Sequence, residues 1–345
     1  MSTQITPPTA PDSPVVDKST KAGRGFRRFV AVLLALSVVL TAVYTAISIN
    51  IASQLVQTTR VPLYATPASL GLQYKDITFS SREDHIQLSG WFIPGVLPNG
   101  SLTTQRTIIV VHGNNANRAD QSVGLLNLSG AIARNGFAVL AFDVRGNGVS
   151  SPAPRSFGYF EQRDVLGAVD FLRTGSLPYP DLGHPRAIAG WGLSMGGSAL
   201  VLAAAHEPAF SAIVSDSTAS DYTPILEREI PNGAHLPPLF TPGTLIAARA
   251  IYGIDFYNVR PVDVVAQLAP RPLFFIQGDA DTFVPPSNMG DLAAAARAAP
   301  NAHVQTWIVP SAKHAQSYNT QPQEYVSRIV AFYTAAMGPD TSASR

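Results

Sequence analysis

The chain has 345 residues, of which 46% are hydrophobic, and its formal net charge is +1. This length suits one large domain with a tail, and the near-neutral charge argues against nucleic acid as a partner. The sequence contains no cysteine, which excludes a thiol nucleophile, disulfide bonds and thiolate metal ligands.

The N-terminus combines a basic segment with a long apolar run. Residues 1–28 are polar and end in Lys and Arg side chains, so we predict a disordered cytoplasmic tail. Residues 29–52, predicted to be a transmembrane signal-anchor helix, are uncharged and exceed the roughly 20 apolar residues that a bilayer requires. A cleaved signal peptide is the alternative, although its apolar region ordinarily has only about 7–15 residues. Because basic residues stay cytoplasmic, we expect a single-pass cell-membrane protein with an extracytoplasmic C-terminal domain.

After a predicted linker at 53–74, the sequence changes to short apolar runs separated by turn residues. Residues 77–80 and 86–93 alternate apolar and polar positions, which predicts two antiparallel strands joined by a turn. Six nearly continuous apolar runs follow, as is typical of parallel strands buried on both faces. These runs begin at Thr107, Ala138, Ala187, Ala212, Pro272 and Val304. Helix-like stretches alternate with them at 119–134, 161–173, 195–206, 288–299 and 322–337.

This alternation predicts an α/β fold with a mostly parallel, doubly wound sheet over residues 75–338, followed by a C-terminal tail at 339–345. In such sheets, ligand sites lie beyond the C-terminal ends of the strands. Chemically able side chains are therefore sought directly after each apolar run.

Ser194 follows the third parallel run, within the sequence Gly192-Leu193-Ser194-Met195-Gly196. A serine in such a strand–turn–helix context has a strained backbone and an exposed hydroxyl, and the flanking glycines allow close backbone approach. A serine hydroxyl is a poor nucleophile at neutral pH and needs a base. Of the seven histidines, His314 alone follows the last strand in a polar loop, whereas His112 is expected to brace a turn.

A histidine base needs a carboxylate that fixes its tautomer. Asp279 and Asp281 both follow the fifth parallel run, and Asp216 follows the fourth, so three acids are candidates on position alone. Asp143 is instead expected to organise loops through backbone hydrogen bonds, with Arg145 as its partner.

Over roughly residues 75–338 the chain resembles the α/β-hydrolase superfamily and, within it, the BEM46-like serine hydrolases. Four stretches carry the resemblance: His112–Asn114, Asp143–Ser150, Gly192–Gly196, and Gly278–Pro285 with the later His314. The resemblance implies the order nucleophile, acid, histidine, which this sequence satisfies with Ser194, Asp281 and His314. In the family pattern the acid precedes x-x-Val-Pro, and this spacing favours Asp281 over Asp279.

The same resemblance implies an oxyanion hole made of backbone N–H groups. One donor follows the nucleophile and would be Met195, and the other lies in the loop after the first parallel strand and would be Asn114. A structural role for the asparagines at 114, 115 and 117 is the alternative, since asparagine suits tight turns.

Residues 218–262 interrupt the strand series and are predicted to form a short lid over the site. The segment is rich in proline and has one helix-like piece from Thr241 to Tyr252, with Thr241 as its cap and Gly253 as its end. Its apolar side chains either form an acyl pocket or pack the lid onto the sheet. They are Leu236, Leu239, Phe240, Ile246, Ile251, Tyr252, Phe256 and Tyr257.

Together these features predict a membrane-anchored serine hydrolase that cleaves carboxylic esters through an acyl-enzyme, in the manner of carboxylesterases and lipases. Its expected substrate is a small-molecule or lipid-like ester. An acyltransferase or a peptidase with the same triad is an alternative, and a non-catalytic binding member of the fold is a further one. The sequence has no P-loop, no GxGxxG after a strand and no HExxH, so neither a cofactor nor a metal is expected.

Overall fold

The computed structural model describes residues 1–5 and 19–340. Two compact units divide the chain, Met1–Ile47 and Ser48–Arg345. Most of the predicted disordered tail, residues 6–18, and the end of the predicted C-terminal tail, residues 341–345, lie outside the described residues.

Helix α1, Ser19–Leu55, contains the apolar run near the N-terminus. Its part from Gly23 to Leu55 contains an 18-residue window with a mean hydropathy of 2.5 and is long and apolar enough to cross a membrane, a property that signal sequences share. The helix begins before the predicted span at 29–52 and ends after it. The last residues assigned to the predicted tail and the first of the predicted linker are therefore helical.

The second unit contains the strands and the remaining helices. The strands are β1 Lys75–Ser80, β2 Gln87–Ile93, β3 Gly95–Val96, β4 Leu102–Thr103, β5 Arg106–Val111, β6 Ala138–Asp143, β7 Ala187–Leu193, β8 Phe210–Asp216, β9 Leu273–Gly278 and β10 Val304–Val309. The helices are α2 Leu125–Arg134, α3 Glu161–Thr174, α4 Met195–His206, α5 Tyr222–Ala234, α6 Phe240–Tyr252, α7 Pro261–Val264, α8 Ser287–Arg297, α9 Ser317–Thr320 and α10 Pro322–Met337.

Eight strands form one sheet in the order β1-β2-β6-β5-β7-β8-β9-β10. All pairs from β6 to β10 are parallel, and β1 and β2 add an antiparallel edge. Strands β5, β6 and β9 are buried along their whole length, as expected for a sheet covered on both faces. The predicted mostly parallel α/β sheet is thus confirmed, and the strand order reverses at β5, where ligand sites form in such sheets.

The second unit begins at Ser48, well before the predicted domain start at residue 75. Ile51, Ala52 and Val56 are buried although they continue the apolar helix. Residues 48–62, called here the entry segment, therefore belong to the folded unit and are not a free linker.

The insert after β8 contains two long helices, whereas one was predicted. Helix α5 was missed because Pro224 and Pro231 read as breaks, yet Pro224 lies in its first turn, where proline is tolerated, and Pro231 lies inside it. The side chain of Asp221 caps α5 by accepting from the Thr223 N–H at 2.8 Å. Thr241 was wrongly predicted as a cap, because α6 begins one residue earlier with Leu239 at the N-cap position. Gly253 ends α6 at φ 69°, as predicted.

Candidate active site

Ser194 lies at the abrupt turn between β7 and α4. Its backbone angles, φ 52° and ψ −118°, are strained for a residue with a side chain. The flanking glycines leave no room for a Cβ: one at Gly192 would lie 2.6 Å from Gly197 Cα, and one at Gly196 would lie 2.4 Å from the carbonyl oxygens of Val111 and His112. The turn thus holds the serine tightly against the end of β5.

Ser194, His314 and Asp281 form a continuous hydrogen-bonded chain. Ser194 Oγ lies 2.9 Å from His314 Nε2, and His314 Nδ1 lies 2.8 Å from Asp281 Oδ2. Since the carboxylate accepts from Nδ1–H, the neutral ring presents a lone pair at Nε2 toward the serine hydroxyl. The structure therefore brings together all three side chains that the sequence predicted, from the ends of β7, β9 and β10.

Asp281 is buried and held by four N–H donors. Its Oδ1 accepts from the backbone of Phe283 at 3.0 Å and of Val284 at 2.8 Å. Its Oδ2 accepts from Gln277 Nε2 at 2.8 Å in addition to His314. This geometry fixes the carboxylate and, through it, the orientation and tautomer of the imidazole.

The two other candidate acids have different partners. Asp279 is exposed, and its Oδ1 accepts from the Ser311 N–H, which holds the loop after β10. Asp216 is buried and accepts from three hydroxyl groups, those of Ser217, Ser317 and Tyr325, each at 2.9 Å. Burial raises the pKa of Asp216 to about 6. Neither acid is hydrogen-bonded to His314.

His112 braces the loops beside the serine, as predicted. Its Nε2 accepts from the Val144 N–H at 3.0 Å, and its Nδ1–H donates to the Gly113 carbonyl. Burial lowers the pKa of His112, which keeps the ring neutral.

Asp143 organises the loops after β5 and β6 but pairs with Arg118, so the predicted partner Arg145 is wrong. Its carboxylate accepts from the backbone N–H groups of Arg118 and Val149 and from the Arg118 guanidinium at 2.7 Å. Arg145 instead pairs with Asp84 and Asp164. The sequence separation of 25 residues between Asp143 and Arg118 left no local signal for this pair.

Asn114 and Met195 are the two residues predicted to supply oxyanion donors beside Ser194. Met195 is the first residue of α4, where a backbone N–H has no acceptor within its own helix. Asn114 follows the end of β5 and lines a cavity together with Ser194 and His314. Its side-chain oxygen accepts from Arg155 at 3.0 Å.

The cavity at Ser194 has a volume of about 330 Å³. Its lining includes the apolar side chains of Val123, Leu193 and Phe283 and the polar side chains of Asp120 and Gln316. None of the eight apolar lid side chains lines it. Phe256 is buried against Phe157, whereas Leu239, Ile246 and Ile251 are exposed. Of the two alternatives predicted for these side chains, an acyl pocket made of lid residues does not apply to this cavity.

Tyr222 is a residue that the sequence did not single out. It is the first residue of α5, it is buried, and its hydroxyl faces the side chains of Ser194 and Ser198. Burial raises the pKa of Tyr222, so the hydroxyl stays protonated at neutral pH. No local pattern marks such a residue, because its position depends on how the insert folds back over α4.

Within the described ranges, 1–5 and 19–340, no group of three or more His, Cys, Asp or Glu side chains is placed to hold a metal ion. The site contains a serine hydroxyl that is hydrogen-bonded to an imidazole, and a buried carboxylate orients this imidazole. Such an arrangement can remove the serine proton during attack on a carbonyl carbon and return it to a leaving group.

The fold and this arrangement define an α/β hydrolase. A family model described as the prolyl oligopeptidase family, Peptidase_S9, matches residues 127–340. The chain belongs to this family.

One curated relative and two solved structures are similar to this chain. The protein YfhR of Escherichia coli strain K12, described as uncharacterized, is 25% identical over 268 residues, covering 77% of this chain and 82% of the relative. The esterase Pf2001 of Pyrococcus furiosus is similar in structure, with a TM-score of 0.66 and 26% identity over 82% of this chain and all of that one. The acylaminoacyl peptidase of Pyrococcus horikoshii shares the fold, with a TM-score of 0.57 and 16% identity, over 79% of this chain and 43% of that chain. The family assignment and the similarity to the esterase support a hydrolase of the serine type.

Proposed function

We propose that this protein is a serine hydrolase that cleaves carboxylic esters through an acyl-enzyme, with Ser194 as nucleophile, His314 as base and Asp281 as the orienting acid. The observation that carries the proposal is the unbroken chain from Ser194 Oγ through His314 to Asp281, at 2.9 and 2.8 Å. The similarity to an esterase at 26% identity supports the ester as substrate.

In the first half-reaction, Ser194 Oγ attacks the ester carbonyl carbon while His314 Nε2 takes the hydroxyl proton. The tetrahedral intermediate collapses as His314 returns the proton to the departing alcohol, which leaves an acyl-serine. In the second half-reaction, His314 activates a water that attacks the acyl carbon, and the acid is released with Ser194 restored. The charged imidazolium formed in both halves is stabilised by the Asp281 carboxylate.

The oxyanion of each tetrahedral intermediate is assigned to the backbone N–H groups of Asn114 and Met195. Met195 begins α4, so its N–H lies at the positive end of a helix dipole. Loss of one such donor typically costs about 3 kcal/mol of transition-state stabilisation. Since both donors belong to the backbone, replacing the Asn114 or Met195 side chain should impair the reaction less than removing Ser194 Oγ.

The substrate proposed from the cavity is an ester with a short acyl chain. A volume of about 330 Å³, bounded by Leu193, Val123 and Phe283, accommodates a small acyl group and excludes a long extended one. A series of p-nitrophenyl esters tests this: kcat/KM should peak at a chain of a few carbons. A maximum at long acyl chains would contradict the short-acyl assignment and favour a lipid-like ester.

Labelling with a fluorophosphonate probe tests the nucleophile. The wild-type protein should become labelled and lose esterase activity in parallel, whereas Ser194→Ala should remain unlabelled. Ser198→Ala is a matched control, because Ser198 lies one helical turn further along α4 and is fully buried. Equal labelling of wild type and Ser194→Ala would refute the assignment.

A peptidase with the same triad is the second candidate, and membership of the prolyl oligopeptidase family favours it. The two activities are separated by comparing kcat/KM for an ester and an amide with identical acyl groups. A ratio close to one would identify a peptidase, since an amide needs the leaving amine protonated and is intrinsically less reactive. Added alcohol tests acyl transfer, because a transferase would form the new ester in preference to the free acid.

The localisation is likewise a proposal: α1 anchors the protein in the cell membrane as a single pass with its N-terminus in the cytoplasm. The long apolar part of the helix and the Arg and Lys residues that precede it support this orientation. Protease treatment of intact cells should digest the domain that carries Ser194. Its protection there, or recovery of a mature chain lacking α1, would contradict the anchor.

A further inference from the structure

The entry segment, residues 48–62, contacts the loop that carries Asn114. The Thr59 N–H donates to Asn115 Oδ1 at 3.0 Å. From the loop, Asn117 Nδ2 donates to the carbonyl oxygens of Val61 at 2.9 Å and Pro62 at 3.1 Å. Residues that come directly after the apolar helix are thus joined to the loop proposed to supply an oxyanion donor.

Arg155 connects the same two regions through a single side chain. Its Nε donates to the Leu55 carbonyl at 3.0 Å, Nη2 donates to the same oxygen, and Nη1 donates to Asn114 Oδ1 at 3.0 Å. Its backbone N–H donates to the Val56 carbonyl at 2.8 Å, and its guanidinium lies 4.8 Å from the centre of the Phe157 ring. Arg155 is therefore anchored to the end of α1 at both its backbone and its side chain.

The end of α1 is a favourable partner for this guanidinium. The last carbonyl groups of a helix have no intrahelical donors and carry the negative end of the helix dipole. Leu55 is the last residue of α1, and its carbonyl receives two of the guanidinium donors. A cation held in this way is fixed in position and can impose that position on Asn114.

The loop after β5 needs such support because it has little regular structure of its own. Between the end of β5 and the start of α2 the chain forms turns and bends, and Asn115 has a left-handed φ of 50°. Its position is therefore set by side-chain contacts. Those that Asn114, Asn115 and Asn117 make outside the loop, as far as the described contacts show, are to Arg155 and the entry segment.

We propose that Arg155 is a positioning residue that sets the oxyanion donor at Asn114 from the end of α1, so that the entry segment is part of the catalytic apparatus. The inference rests on the proposed function, since it assigns a role in the oxyanion hole of that reaction. The insert after β8 also contacts the entry segment, because the Tyr252 hydroxyl of α6 donates to Ser53 Oγ at 2.9 Å.

A double-mutant cycle in the full chain tests this coupling. Arg155→Gln and Asn114→Ala each break the Nη1 to Oδ1 contact, and Asn114→Ala leaves the backbone N–H in place. Each should lower kcat roughly 10-fold with KM nearly unchanged, because a misplaced donor weakens only the transition state. The double variant should be no slower than the worse single variant, and Arg155→Lys should restore part of the rate.

Arg134→Gln is the matched control. Like Arg155, Arg134 donates to a backbone carbonyl that precedes β1 in the chain, that of Leu70, but it is not hydrogen-bonded to the Asn114 loop. It should leave kcat within about 2-fold, as is usual for a surface substitution. Additive losses in the double variant would overturn the proposal. An Arg155→Gln effect confined to KM or to melting temperature would do the same.

Amide hydrogen exchange distinguishes this inference from the proposed function. Arg155→Gln should accelerate exchange at residues 113–117 while Arg134→Gln does not, and this readout needs no turnover. If the wild type neither hydrolyses esters nor reacts with a fluorophosphonate, the proposed function fails. Unchanged exchange at 113–117 in Arg155→Gln overturns the positioning role whether or not the enzyme is active.

Discussion

Two buried carboxylates lie at the ends of the neighbouring strands β8 and β9, and their surroundings differ: Asp216 is the last residue of β8, and Asp281 follows β9. Asp281 accepts from three N–H groups besides the imidazole. Asp216 accepts from three hydroxyl groups. A hydroxyl group can rotate to accept a hydrogen bond from a protonated carboxyl group or to donate one to a carboxylate, whereas an N–H can only donate. The N–H donors around Asp281 are therefore satisfied only by an ionised carboxylate. The hydroxyl groups around Asp216 can form hydrogen bonds with either the ionised or the protonated form of its carboxyl group.

The Asp216 region nevertheless supports the catalytic loop. Ser217 Oγ, which donates to Asp216, accepts from the Ala315 N–H at 3.1 Å, next to His314. Tyr325 donates to Asp216 and accepts from Trp191 Nε1 at 3.0 Å, which links the cluster to β7. One carboxylate therefore orients the histidine directly, and the other supports the backbone on which that histidine lies.

The sharpest way to separate the two acids is the same substitution at each. Asp281→Asn should lower kcat by a factor on the order of 10⁴, because the amide stabilises the wrong imidazole tautomer and no imidazolium. Asp216→Asn should lower it less than about 10-fold, because only the support of the loop is weakened. Steady-state kinetics with one p-nitrophenyl ester compares them. Equal losses would contradict the division of roles.

The sequence predicted this part of the site well, for a physical reason. Parallel strands bring their C-terminal ends to one edge, so Ser194, Asp281 and His314 could be placed together once three apolar runs were recognised. The positions of the acidic residues alone did not decide which of them orients His314. The hydrogen-bond donors around Asp216 and Asp281 come partly from residues distant in sequence. Tyr325, for example, donates to Asp216 across 109 residues of chain, and no local pattern reveals such a contact.

The entry segment and the insert were predicted poorly, for two different reasons. Ile51, Ala52 and Val56 are apolar whether they face lipid or the protein interior, so composition could not reveal that the folded unit begins at Ser48. In the insert, local proline signals were misleading, because α5 tolerates Pro231 within its tertiary setting. The Arg155 contacts were missed because they join residues that are 41 and 100 positions apart.

A second test uses the pH dependence of stability. Burial raises the pKa of Asp216 from 3.8 to about 6, so the folded protein retains this proton in a range where the unfolded chain has lost it. The resulting stabilisation is complete below pH 3.8 and is lost as the pH rises through about 6. A shift of this size corresponds to at most about 3 kcal/mol.

Thermal unfolding of the full chain in detergent, followed between pH 4 and 7, measures this effect as a difference from Asp216→Asn. The melting temperature of wild type should fall relative to that of the variant as the pH rises, because the amide does not titrate. Parallel curves for the two proteins would contradict a raised pKa at Asp216. The melting temperature of Asp281→Asn, measured over the same pH range, gives the comparison for the acid after β9.

A smaller effect is expected at Gln277, which donates to both Asp281 Oδ2 and the Val284 carbonyl. Gln277→Leu removes one of the four donors to the carboxylate while conserving volume. We expect kcat to fall about 10-fold, which is about 1.4 kcal/mol, in the range of a hydrogen bond to a charged group. An unchanged kcat would mean that the remaining three donors suffice to hold Asp281.

The smallest effect is expected at Asp279, the acid nearest in sequence to Asp281. It is exposed and accepts only the Ser311 N–H among the described contacts, and an asparagine oxygen can accept the same bond. Asp279→Asn should therefore leave kcat/KM within about 3-fold and change the free energy of unfolding by less than about 1 kcal/mol. Kinetics and thermal unfolding beside Asp281→Asn give the contrast. If Asp279→Asn lowered kcat/KM as much as Asp281→Asn, the assignment of Asp281 as the orienting acid would be contradicted, and Asp279, two residues away in the chain, would become the candidate.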